Sequence, residues 1–217
     1  MLFNHGDHFH GIGAYSYSGP SGSPIIVPTN TNNRIPEISS GEAPLPLSPG
    51  TGLYAGALVN HAGASEYSDI VFNSINQLAG FGPADPETVL FNSSGGRWNS
   101  SIAGAQIAFE LLSITPGLNV GTPTNTNIFA GPNTTYSVGD GSGFEFTPVF
   151  WTAEGVLPGT YSITMRLVDL SSNAALPSGE FSFDFAVITS VPEPGAAALI
   201  GAGLAALGVC LRRRHRL

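Results

Sequence analysis

No lysine occurs anywhere in the 217-residue chain, cysteine occurs once, and charged residues make up only 10% of it, against about 25% in an average soluble domain. Each shortage excludes something. All seven cations are arginine, and Arg212, Arg213, Arg214 and Arg216 stand at the C-terminus. That leaves Arg34, Arg97 and Arg166 against fourteen acidic residues in residues 1–191, a formal balance of −11. Nucleic acid is excluded as a partner, because phosphates require a basic surface. Cation binding, or simple solubility outside a cell, suits such a charge. The lone Cys210 lies in an uncharged run near the C-terminus, so no disulfide forms within the body and its fold must rest on packing and hydrogen bonds. Cys210 itself reads as a small apolar filler, with lipidation the minor alternative.

Motifs are missing too. There is no Gly-x-Ser-x-Gly elbow, which a nucleophilic serine hydrolase of that kind would carry, and no spacing supports His61 with Asp69 and a serine. Met1 to His10 has neither a basic start nor an apolar run of seven residues, as an entry signal would. The expectation is that the natural start lies upstream of Met1; the alternative is a chain that is not exported by the usual route.

What the chain does have is glycine and proline, 28 and 17 residues respectively. They are dense in residues 1–50, as in Gly19 to Pro24 and Pro44 to Pro49. Proline removes a backbone donor and glycine relaxes the dihedral restraint, so only short strands are expected there, at Ile12 to Tyr17 and Ile25 to Val27. Ser65 to Ala79 is ambiguous: Tyr67, Ile70, Val71, Ile75 and Leu78 approach helical spacing, while Asp69 to Phe72 reads equally as a strand. A short run, Thr88 to Phe91, follows among Gly-Pro, Asp-Pro and Gly-Gly turns.

Beyond residue 105 the pattern sharpens. Ile107, Phe109 and Leu111 alternate with Glu110 opposite; Phe144 to Thr147 alternates likewise, and Pro148 suggests an edge strand or bulge before Val149 to Trp151. A Pro158-Gly159 turn feeds a strand with Tyr161, Ile163, Met165 and Leu167 inward. Phe181, Phe183, Phe185 and Val187 share a face, with Ser182 and Asp184 on the other. The last two strands are spaced as an antiparallel hairpin with a long loop. Together these strands predict an all-β fold, an antiparallel β-sandwich followed by a short C-terminal transmembrane helix. A cross-strand pair of Arg166 with Glu110 or Asp184 is expected on the polar face, as a register device.

The last 26 residues have three parts: Pro192-Glu193-Pro194, then 17 uncharged residues from Gly195 to Leu211, then the arginine cluster. As a helix the middle part would rise about 25 Å, at the short limit for a hydrocarbon core about 30 Å thick. Leu199, Ile200, Leu204, Leu207, Val209 and Leu211 supply its apolar content, diluted by alanine and glycine, which makes a weak, transient anchor. Small residues at Gly195, Gly201, Ala205 and Gly208 suit close approach of another helix, or ordinary helix packing. The positive-inside tendency puts Arg212, Arg213, Arg214 and Arg216 in the cytoplasm and residues 1–194 on the far side.

This tail resembles the sorting signal of the PEP-CTERM proteins of bacteria, and covers about an eighth of the chain. The resemblance implies recognition of Pro192, Glu193 and Pro194 by exosortase, a membrane-embedded cysteine protease resembling a transpeptidase. Gly195 to Leu211 would be the hold-in anchor and Arg212 to Arg216 the stop. The body is also similar to a PEP-CTERM subgroup associated with zinc-starvation regulation. The matching stretches are the His/Asp-containing start, a segment like Ile107 to Val120, and a closing pair like Gly159-Thr160-Tyr161 and Phe185.

Three chemistries remain. His5, Asp7, His8 and His10 form the sharpest metal candidate: zinc accepts imidazole nitrogen and carboxylate oxygen, His8 and His10 share a side if extended, and His61 is a distant further ligand. The plain alternative is a solvated His-rich start. Calcium through Asp140 or Asp169 lacks the several carboxylates it prefers, so each reads as a turn residue. Paired carboxylates for sugar cleavage would have to come from Glu110, Glu145, Glu154 and Asp184, for which surface charge is the plainer role. Asn92, Asn99 and Asn133 start Asn-x-Ser/Thr triplets that read as polar loops. The expected organisation is a Gly/Pro/His-containing segment at 1–50, a β-sandwich at 51–190 and the sorting signal at 191–217. The expected role is non-enzymatic, on the cell surface or in an exopolysaccharide matrix, with exosortase and the membrane as partners. A zinc-binding surface protein and a glycan-active enzyme are the alternatives.

Overall fold

The computed structural model describes residues 2–4, 9–11, 15–18, 25–28, 33–36, 41, 43–60, 70–85, 88, 104–172, 174 and 177–188. These residues form an all-β molecule. Short strands come first: β1 (Leu2–Asn4), β2 (Phe9–Gly11), β3 (Tyr15–Ser18), β4 (Ile25–Pro28), β5 (Arg34–Ile35), β6 (Leu45–Pro46), β7 (Ser48–Pro49), β8 (Ala57–Val59) and β9 (Val71–Asn73). Longer ones follow: β10 (Gln106–Ile114), β11 (Leu118–Gly121), β12 (Thr134–Asp140), β13 (Glu145–Phe146), β14 (Val149–Ala153), β15 (Gly159–Asp169) and β16 (Phe181–Val187). The change in length follows composition, since the early chain is broken at nearly every turn by proline or glycine.

The long strands build the main sheet in the order β12-β10-β15-β16-β5, with β6 also on β16. Strict alternation turns Tyr161, Ile163 and Met165 of β15 and Phe181, Phe183, Phe185 and Val187 of β16 into the core, while Leu167 is half-buried. In β10 the alternation of Ile107, Phe109 and Leu111 is interrupted. The register slips between Leu111, opposite Met165, and Ser113, opposite Thr164, so Leu112 is the extra residue of a bulge and Ile114 comes opposite the buried Ile163.

Two smaller sheets cover the inner face side by side, β13-β9-β1-β2 and β11-β14-β8-β7. From the first, the Phe72 ring lies 4.7 Å from Phe109 and 5.7 Å from Phe183. From the second, Phe150 lies 4.8 Å from Phe185 and 5.6 Å from Phe183. Phe183 therefore joins both to the main sheet. Each buried phenylalanine contributes about 1.5–3 kcal/mol through area removed from water, and each well-placed ring pair about 0.5–1.5 more. The chain crosses from one covering sheet to the other at Thr147-Pro148, between β13 and β14.

Several expectations change. The sheets are not purely antiparallel: β5 and β6 run parallel to β16, pairing Ser182 with Arg34 and Ala186 with Pro46. Two-residue strands carry no readable periodicity, and a parallel pair needs no hairpin to betray it. Pro148 does follow an edge strand, since β13 lies at the end of its sheet, beside β9 alone. Pro148 precedes β14, which is flanked by β11 on one side and β8 on the other. Of the ambiguous stretch Ser65 to Ala79, residues 65–69 lie outside the described residues, and the rest is a strand followed by a 3₁₀ turn, β9 and then Ile75–Leu78. The transmembrane helix expected at Gly195 to Leu211 lies outside the described residues. Among the described residues no helix is long and apolar enough to cross a membrane.

Candidate functional site

The site indicated by the sequence is the tail, and the structure describes its root. β16 is an interior strand. Its seven residues pair with β15 from Gly159–Val187 to Met165–Phe181, and on the other side Ser182 N–H donates to Asn33 O at 2.8 Å and Leu47 N–H to Ala186 O at 2.9 Å. Four of its side chains are buried among the core phenylalanines. At Ile188, 67% exposed, the chain leaves the core. From Val187 to Pro192 is five Cα steps, at most about 18 Å. The body thus ends in a fully packed strand, and Pro192-Glu193-Pro194 follows at a short, covalently limited distance.

Pro192, Glu193, Pro194, the span Gly195 to Leu211 and Arg212, Arg213, Arg214 and Arg216 lie outside the described residues. The family model of the PEP-CTERM protein-sorting motif matches residues 190–214. The chain carries a PEP-CTERM sorting signal. The match takes in the tripeptide, the whole uncharged span and the first three arginines. It does not reach the body, and the zinc-associated subgroup draws nothing from it. No curated protein and no solved structure matches the chain.

The other candidates separate once the sheets are in place. His5, Asp7, His8, His61 and Asp69 lie outside the described residues, and His10 sits in β2 opposite Phe3 of β1. Among the described residues no group of three or more His, Cys, Asp or Glu side chains is placed to hold a metal. Asp140 closes a turn: its Oδ1 accepts the Ser142 N–H at 2.7 Å, and the Ser142 hydroxyl first, with that N–H second, holds its carboxyl below the usual range. Asp169 Oδ1 accepts the backbone N–H of Gln106 and of Ser171, at 3.0 and 2.9 Å. Both are turn and strand-end residues, as their glycine and serine neighbours suggest. Asn133 occupies a left-handed turn position, φ 62°.

The carboxylates proposed for sugar cleavage are dispersed. Glu110 accepts from Arg166 Nε at 2.6 Å, and Asp184 accepts from Ser162 Oγ and from Arg34. Glu110 faces Arg166 and Asp184 faces Ser162, so the two acids stand two strands and four residues apart, about 16 Å by strand geometry. Glycosidase pairs are about 5–9.5 Å apart. Glu145 bonds Asn73 in a covering sheet, at 3.3 Å, and Glu154 sits in the turn after β14.

One feature was not signalled by any motif. The outer face of β14 and β8 is apolar, formed by Tyr54, Ala57, Val59 and Val149 with Trp151 packed on them. Tyr54 closes it by donating its hydroxyl to Thr122 O at 2.7 Å, and burial pushes that phenol up to about 12. Trp151 Nε1 donates to Thr126 O at 2.6 Å. The rings are thus tied to the backbone of the Thr122 to Thr126 loop, which makes them a clamp on that loop.

Proposed function

We propose that this is an exported, non-enzymatic protein of the cell surface or exopolysaccharide matrix. Its all-β body folds as a β-sandwich outside the cytoplasm, Gly195 to Leu211 holds it briefly in the membrane, Arg212 to Arg216 stop transfer, and exosortase acts after recognising Pro192 to Pro194. The observation that carries this reading is the sorting-motif match at 190–214, which begins three residues after the last core strand. Such an order lets the body be complete before, and independent of, the processing of its tail. Two prolines leave the tripeptide a single backbone N–H, on Glu193, so the carboxylate and the proline rings are what a recognising enzyme can read. Glu110 and Asp184, about 16 Å apart by strand geometry, stand too far apart to act as a sugar-cleaving pair.

The test is processing in a host with exosortase. Full-length protein should be shortened and leave the membrane fraction, and Pro192→Ala with Glu193→Ala should remain full-length and membrane-bound. Equal release of both would show the tripeptide to be incidental.

A further inference from the structure

The two ends of the main sheet differ in chemistry. At the end where β16 terminates lie the turn 115–117, which joins β10 to β11, and the turn 154–158, which joins β14 to β15. Thr115 N–H donates to Ser162 O and Gly159 pairs with Val187, so both turns stand beside the point at which the chain departs. Across these turns and Ile188 the sequence has one charge, Glu154. It also presents two large apolar side chains to solvent, Leu157 at 80% exposure and Ile188 at 67%. They belong to neighbouring strand ends, since Leu157 is two residues before Gly159 and Ile188 one after Val187. Leu157 is not on a loose loop: the Tyr161 hydroxyl donates to its carbonyl oxygen at 2.8 Å, and Gly155, at φ 89°, makes the turn that aims it outward. The opposite end of the sheet carries Asp140, Asp169 and Glu180.

Single exposed apolar residues are ordinary on protein surfaces. These two stand out by their place. They flank the root of a tail whose uncharged span begins at Gly195, and the short connection keeps this end of the body close to whatever holds that span. An acidic body is repelled by an anionic lipid surface, and the exit end is the part of it with least charge to repel.

We infer that the exit end is a membrane-seating face: while the tail is anchored, Leu157 and Ile188 dip into the lipid headgroup region. The inference rests on the anchor role proposed for Gly195 to Leu211. A short Ala/Gly-rich span is a weak anchor, and shallow insertion of flanking apolar side chains provides a second attachment of the kind that stable membrane association requires. It also sets the orientation of the body, with the Asp140, Asp169 and Glu180 end pointing away from the lipid.

The experiment uses full-length protein with Cys210→Ala and a nitroxide attached at Leu157→Cys or, at the acidic end, at the exposed Leu170→Cys. Each is reconstituted into phosphatidylcholine–phosphatidylglycerol vesicles, and flotation is scored beside collision of the label with oxygen and with a water-soluble nickel chelate. The label at 157 should lose nickel accessibility and gain oxygen accessibility on reconstitution, while the label at 170 stays as in solution. If the protein floats and the two labels remain equally open to nickel, the seating face is wrong and the anchor stands. Failure to float overturns the anchor and the face together. Protection of 157 only when exosortase is added to the vesicles would show a protein contact in place of a lipid one, and overturns the inference.

Discussion

On the inner face of the main sheet lie Phe109, Phe181, Phe183 and Phe185; one residue away along the same strands, on the outer face, lie Glu110, Ser182 and Asp184. The inner residues are almost wholly buried. The outer ones form a polar ladder across β10, β15, β16 and β5: Glu110 with Arg166, Thr164 with Ser182 at 2.8 Å, and Ser162 and Arg34 on Asp184. The two faces do different jobs. Area removed from water and ring packing make the inner face the source of stability. Polar pairs on a partly solvated face add little energy, but they match only in one alignment. A one-residue slip would expose the phenylalanines and bury the acids at once, so both faces specify the same register.

The comparison can be broken most forcefully at Phe183, where both covering sheets meet the main one. Phe183→Ala should cost about 3–5 kcal/mol, as a large-to-small change in a close-packed core does, and urea denaturation should show it as a large fall in midpoint. An outer-face change should be much smaller. Between them stands Tyr54, on the apolar outer face of β14 and β8. Tyr54→Phe keeps the ring and removes the bond to Thr122 O, for a loss of about 1 kcal/mol at neutral pH. It also has a signature in alkali. The Tyr54 phenol is raised from 10.0 to about 12 in the folded protein, so its contribution is whole below pH 10 and is lost as pH rises through 12. The phenylalanine variant should lose less stability over that window than the parent, measured by urea titration at each pH. Arg166→Met, in the partly buried ladder, should cost about 1 kcal/mol. A loss as large as that of Phe183→Ala would mean the ladder supplies energy as well as register.

Much of this was legible in advance. β10, β15 and β16 showed themselves because a strand half-buried in a sheet repeats every two residues, and the hairpin of β15 and β16 followed from their spacing. The sorting signal was equally visible, since it is read as a linear sequence. Illegible were β1, β5, β6 and β7, whose two or three residues cannot display a period, and the role of Tyr54, whose partners at Thr122 and Asn125 are far away in sequence. Arg166 had two candidate acids by sequence, and the register assigned it Glu110 by placing Asp184 opposite Ser162.

By itself, then, the sequence determined what is local: the all-β character of the body, the phenylalanine faces of its long strands, the acidic balance, and the tail with its tripeptide, span and arginines. Only the tertiary structure decided what depends on residues distant along the chain: the parallel strands on β16, the division of the second layer into two sheets joined through Phe183, the separation of Glu110 from Asp184, and the placing of Leu157 and Ile188 beside neighbouring strand ends at the root of the tail. The physical reason is that alternation and covalent order are carried by neighbouring residues. Pairing register and the choice of sheet are settled only when one arrangement buries all of the apolar faces together.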